Sequence, residues 1–144
     1  MPNTDPVSLH RFLNAQADVY SVALAELCAG LKESHWMWFI FPQLAGLGFS
    51  DTARRYALCG LDEARCYLAH PALGPRLVEC SRALLQHTDL TANQILGCPD
   101  DVKLRSSMTL FRLANPDFPE FGKVLDQFYG GLDDPKTLDL LEVR

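Results

Sequence analysis

The sequence predicts an all-α fold, a compact bundle of about seven to eight mostly short helices in a single domain over residues 1–144. Three observations carry this. Helix-start signals recur, at Asp5–Pro6, Thr91–Gln94 and Asp134–Pro135. Apolar residues return at spacings of three and four. No apolar–polar alternation lasts long enough to demand a sheet. The 144 residues, 48% hydrophobic and 22% charged, suit one core. A chain of that length buries roughly 70% of its unfolded surface. Such a composition excludes disorder, collagen-like repeats and disulfide-dense miniproteins.

Asp5 is the expected cap of a first helix, with Pro6 at the first helical position, where a missing N–H costs nothing. Leu9, Phe12, Leu13 and Gln16 follow at helical spacing. Val19 or Tyr20, with Ala23, Leu24 and Leu27, forms one face of a second helix that ends at Gly30. Trp36 to Phe41 is apolar on every side and is left between strand and helix. Ser50 or Asp51 caps a short helix through Leu58, and Gly60 opens another over Leu61 to Ala69. There Glu63 occupies the position from which a capping-box acid reaches back. Pro71 and Gly74–Pro75 break the chain before a helix from Arg76 to Gln86. Thr91 and Gln94 form a capping box for a turn or two, stopped by Gly97 and Pro99. Asp100 or Asp101 starts a helix to about Ala114, and Asp117 is the expected cap of the next, closed by Gly130–Gly131. Asp134 and Pro135 open the last, with Leu138 and Leu141.

Thirteen Lys and Arg against eighteen Asp and Glu give a formal charge of −5, so the basic footprint of a nucleic-acid binder is absent. Residues 117–144 hold seven acids against three bases, which reads as a solvated acidic face. The N-terminus lacks the basic start and apolar run of a secretory signal. No apolar run approaches the roughly 20 residues of a membrane span. Cys28, Cys59, Cys66, Cys80 and Cys98 are odd in number and without C-x-x-C spacing. They read as reduced thiols, and the expected compartment is the cytoplasm. No metal or cofactor is expected, and the sequence sets no oligomeric state.

Five segments share a pattern: R-F-L-x-A-Q at 11–16, S-H-W-M-W-F-I-F-P-Q at 34–43, G-L-G at 46–48, H-P-x-L-G-x-R-L at 70–77 and D-D-x-K-L-R-S-S-M-T-L-F at 100–111. In this order they resemble a bacterial family known as domain of unknown function 1810. The likeness covers about residues 9–141. It implies a compact, mainly helical domain and no established reaction.

The helix from Asp101 to Ala114 shows where chemistry is expected. Taking Val102 as 0° and about 100° per residue, Leu113, Leu110, Ala114, Phe111, Leu104 and Met108 spread over about 20–240°. Arg112, Arg105 and Thr109 form a polar face at about 280–340°. Ser106, Lys103 and Ser107 fall inside the apolar arc, at about 40, 100 and 140°. A lysine in an apolar wall calls for a partner or a ligand, and a helix N-terminus favours an anion. Lys103, Arg105, Ser106 and Ser107 are therefore the expected anion-holding residues. His35, Trp36, Trp38 and Gln43 supply the expected wall, aromatic surface flanked by polar groups. Arg54 and Arg55 are secondary candidates, since one guanidinium can grip a phosphate or carboxylate with two bonds.

Each residue also has a structural reading. Helical serines bond their own carbonyls, lysines snorkel or pair with Asp100 or Asp101, aromatics fill cores, and neighbouring arginines are solvated. Three functions fit the pattern. The first is binding of a small anionic ligand, a nucleotide or sugar phosphate, in an aromatic and basic pocket. The second is a protein–protein interaction module with aromatic anchors. The third is a hydrolase or transferase in which His35 is the acid/base. No H-E-x-x-H, G-x-S-x-G or phosphate-loop motif is present.

Overall fold

The computed structural model describes residues 6–142, so the expected cap Asp5 lies outside the described residues. Ten helices, rather than seven to eight, follow one another among these residues, and no strand forms. They are α1 (Pro6–Gln16), α2 (Tyr20–Ala29), α3 (Met37–Ile40), α4 (Asp51–Arg55), α5 (Leu61–Ala69), α6 (Leu73–Leu85), α7 (Ala92–Leu96), α8 (Asp100–Ala114), α9 (Pro119–Tyr129) and α10 (Pro135–Leu141). The excess comes from one-turn pieces such as α3, α4 and α7. None of the helices is long and apolar enough to cross a membrane among the described residues.

The local signals behave as their chemistry dictates. Ser50 accepts the Ala53 N–H at α4, and Asp134 accepts the Thr137 N–H at α10. Thr91 and Gln94 close a full capping box on α7. Gly30 and Gly130 end α2 and α9 in left-handed conformation.

One open segment is decided and three expectations are corrected. The 36–41 segment is a helical turn, α3, fully buried at Trp36 and Phe41. Helix α4 stops at Arg55, because Leu58 is used elsewhere: its N–H donates to the Gln43 carbonyl and its carbonyl accepts from Ala45. Helix α6 begins at Leu73, so Gly74 and Pro75 lie inside its first turn, where an N–H has no intrahelical partner to lose. His70 Nδ1 holds that turn, accepting from Ala72 and Leu73 at 3.0 and 3.2 Å. Asp117 does not cap α9; Phe118 takes the cap position with Pro119 behind it, and Asn115 accepts the Asp117 N–H. Glu63 reaches back past the cap to the Cys59 N–H at 2.9 Å and also meets Arg11.

Helix α8 is the axis of the fold, packed against α5, α7, α9 and α10. Six consecutive residues, Ser106 to Phe111, are buried, so neighbours surround the helix. A chain of rings ties it to three other helices. Phe12 meets Tyr67 edge-on at 5.1 Å, Tyr67 meets Phe111 at 5.3 Å, and Phe111 meets Phe121 at 5.8 Å. Each such buried side chain contributes about 1.5–3 kcal/mol.

The polar face of α8 is covered too. Arg105 donates to the carbonyls of Leu132 and Asp133, Arg112 grips the Asp133 carboxylate, and Thr109 Oγ1 accepts the Asp134 N–H. The α9–α10 connection is thereby fastened to α8.

At the other end, Glu26 organises the 33–36 turn. Its carboxylate accepts from the Glu33 and Ser34 N–H groups, the Ser34 hydroxyl and the Trp36 indole. Burial pushes this acid up, and the four bonds to its charged form overcome that, bringing it from 4.5 down to about 2.

Two outcomes follow from this packing. A Cβ at Gly74 would lie 2.1 Å from the Leu68 carbonyl oxygen, whereas Gly60 has open space. Gly74→Ala should cost roughly 1–3 kcal/mol or more in denaturant unfolding. Gly60→Ala should stay within about 0.5 kcal/mol. Because the Glu26 acid is depressed on folding, its contribution is complete above about pH 4.5 and is lost as pH falls toward 2. Glu26→Gln should lose about 1–3 kcal/mol at pH 7 and show a flatter stability profile through that window. An unchanged acid limb in the variant would disprove the assignment.

Candidate functional site

Four stretches converge on one cleft of about 360 Å³. Helix α3 and its exit bring Trp38 and Gln43, and the 47–53 segment brings Leu47, Gly48, Phe49, Ser50 and Ala53. The start of α8 brings Pro99, Val102, Lys103 and Ser106, and α10 brings Asp134 and Lys136. The volume lies near the lower end of the roughly 300–1,000 Å³ of small-molecule sites.

The loop wall is built on close backbone approach. Leu44 and Leu58 pair across its base, with bonds of 2.8 and 2.9 Å on either side. Gly48 lies so near α4 that a Cβ would be 2.6 Å from the Ala53 Cβ. Ser50 then caps α4, so the residue between them, Phe49, is held from both sides. Its side chain is nevertheless 75% exposed.

The sequence-predicted residues divide in two. Trp38, Gln43, Lys103 and Ser106 line the cleft together, although about sixty residues separate the two pairs. The other candidates stand elsewhere. Trp36 is fully buried, its indole spent on Glu26. Ser107 is buried with no partner for its hydroxyl. The Arg105 guanidinium is committed to the 132–133 carbonyls. His35 is exposed and is not among the residues lining the cleft. Arg54 and Arg55 are exposed, and the latter lies 5.7 Å from the Tyr56 ring.

The comparisons with known proteins agree with this architecture. A sequence model of the DUF1810 family, described as a protein of unknown function, matches residues 6–141. The chain belongs to the DUF1810 family. A crystal structure of a conserved hypothetical protein from Mycobacterium tuberculosis is similar, with 49% identity and a TM-score of 0.94. The similarity covers 97% of this chain and 100% of that one. No curated protein matches the sequence. The DUF1810 assignment accounts for the fold and names no reaction.

In this DUF1810 chain the electrostatics of the cleft centre on one carboxylate and two lysines. Lys32 approaches Asp100 to 2.9 Å, with 9% of its side chain exposed. Lys103 stands 3.6 Å from the same group, beyond normal hydrogen-bond length, and 4.9 Å from the centre of the Trp38 ring. Lys32 and Lys103 thus share the Asp100 carboxylate, and the lining itself adds Asp134 and Lys136. The α8 backbone contributes little further. The N–H groups of Asp101, Val102 and Lys103 already donate to the Gly97 and Pro99 carbonyls, so side chains would have to hold an anion.

Phe49, Asp134 and Lys136 are among the lining residues that the sequence reading did not single out for the site. Phe49 carried a faint signal, a lone aromatic between Gly48 and a capping serine. Asp134 was recognised for its cap, and that carboxylate does accept both the Thr137 N–H and hydroxyl. Among the described residues no group of three His, Cys, Asp or Glu side chains could hold a metal ion.

The shared carboxylate sets an order of costs. Lys103→Met leaves Asp100 with its nearer partner and should change stability by roughly 1 kcal/mol or less. Lys32→Met removes the better-buried partner and should cost more, toward the roughly 3–5 kcal/mol of a broken buried pair. Urea unfolding of both variants decides the matter, and equal losses would disprove the division of roles.

Proposed function

We propose that this cleft binds a small anionic ligand, a nucleotide or a sugar phosphate, through Lys103 with Lys136, Ser106 and Gln43. The carrying observation is the Lys103 ammonium, held at the cleft wall by Trp38 and by a carboxylate that is closer to another lysine. An ammonium so placed has donors to offer and incomplete charge compensation. A phosphate oxygen would supply both, through a charge-assisted bond of the stronger kind. The cation–π contact meanwhile holds the lysine in place for about 0.5–1 kcal/mol. Ser106 and Gln43 add polar groups to the same lining: the Ser106 hydroxyl donates to the Val102 carbonyl at 3.3 Å and keeps its lone pairs, and Gln43 brings a side-chain amide.

Thermal unfolding in the presence of AMP, ribose 5-phosphate or inorganic phosphate tests the reading. A ligand at about 100 times its dissociation constant adds roughly 2.7 kcal/mol and should raise the melting temperature by several degrees. Lys103→Met should abolish the rise, and Arg54→Met, outside the cleft, should keep it. No shift with any of the three, or an undiminished shift in Lys103→Met, would overturn the proposal.

A further inference from the structure

Deepening that reading, and resting on it, we infer that Phe49 is the specificity-determining residue of the cleft, selecting phosphate esters that carry a flat aromatic ring, the nucleoside monophosphate class, over plain sugar phosphates. The argument begins with which aromatic surface is open. Trp36 is fully buried. The Trp38 ring lines the cleft, but the Lys103 ammonium stands over its face at 4.9 Å. Phe39 leans on Tyr56 at 5.3 Å. Among the described residues, Phe49 is the lining aromatic that is largely open, 75% exposed as a residue.

Exposure of one phenylalanine is ordinary; exposure of one held in place is different. The chain just before the ring is pressed onto α4 at Gly48, and the residue after it caps α4. The base of the loop is fastened by the Leu44–Leu58 pairing. Little ordering cost therefore remains when a second ring covers Phe49.

The position of Phe49 also fits a two-ended ligand. It lines both the main cleft and an adjoining one of about 240 Å³, walled by Leu47 and Leu140. Lys136 lines both as well. A phosphate at Lys103 and Lys136 leaves room on the apolar side for a ring lying against Phe49. A bare sugar phosphate would satisfy the lysines and leave that surface in water.

Calorimetric titration separates the two levels of the argument, with AMP, phenyl phosphate and ribose 5-phosphate as probes. Stacking on a protein aromatic is expected to favour AMP and phenyl phosphate over ribose 5-phosphate by roughly tenfold or more. Phe49→Ala should erase that preference while leaving ribose 5-phosphate affinity within about twofold. Its melting temperature without ligand should be unchanged, because the ring is largely exposed. Phe49→Trp should retain the preference. Equal binding of all three probes by the unmodified protein, or a preference that survives Phe49→Ala, overturns the assignment of Phe49 while the anion site stands. Failure of all three to bind overturns both.

Discussion

The burial of α8 on every side is the constraint from which the rest of the arrangement follows. A helix that shows six consecutive buried residues leaves little of its polar flank to water, so most polar side chains on it are met by protein partners, with the Ser107 hydroxyl the exception. Arg105, Thr109 and Arg112 find theirs in the 132–134 segment, which delivers Asp134 and the start of α10 to the cleft. Ser106 bonds the carbonyl one turn back. Lys103, a turn nearer the N-terminus, lies where the covering ends, and there the same helix changes from core to cleft wall. The site is thus placed by the exit of a buried helix from its own packing.

That placement explains why the polar face drawn on a helical wheel proves to be a docking seam. A wheel orders residues by angle and contains no information about a segment some thirty residues onward. The caps were legible for the opposite reason. Ser50, Thr91 and Asp134 act on N–H groups three residues away, so the interaction is complete within the local sequence. The start of α6 was not, because the rule that proline breaks a helix fails in the first turn, and His70 closes that turn from outside the helix. The all-helical class was therefore readable throughout, and helix boundaries only where a cap stays local.

Among the candidate residues the same division holds. Lys103 and Ser106 were legible because a polar residue inside an apolar arc contradicts its surroundings, and here the contradiction marks the edge of a cleft. Ser107 carried an identical signal and lies wholly in the core, its hydroxyl without a partner. Periodicity gives the angle of a residue around the helix, and the distinction between these serines is whether the neighbouring element at that angle is a packed helix or a loop. Trp36 and Trp38 separate similarly: two residues apart on a one-turn helix, one meets Glu26 inside the fold and the other meets Lys103 at the cleft.

Charge compensation joins these local facts into a site. The chain is acidic overall, yet at the cleft a single aspartate serves two lysines, and the nearer claim belongs to Lys32, whose ammonium also lies 5.1 Å from the Trp36 ring. Lys32 thus holds the Asp100 carboxylate at the shorter distance and leaves Lys103 the longer one, beside Lys136 and Asp134 in the cleft lining. Lys32 in turn is held by its backbone, whose N–H donates to the Ile95 carbonyl at 2.8 Å, and the turn after it is anchored by Glu26. A carboxylate on α2, well outside the cleft, therefore helps fasten the turn that carries Lys32 to Asp100. The longer contact between Asp100 and Lys103 thus involves the fastening of the 31–36 turn as well as the residues that line the cleft.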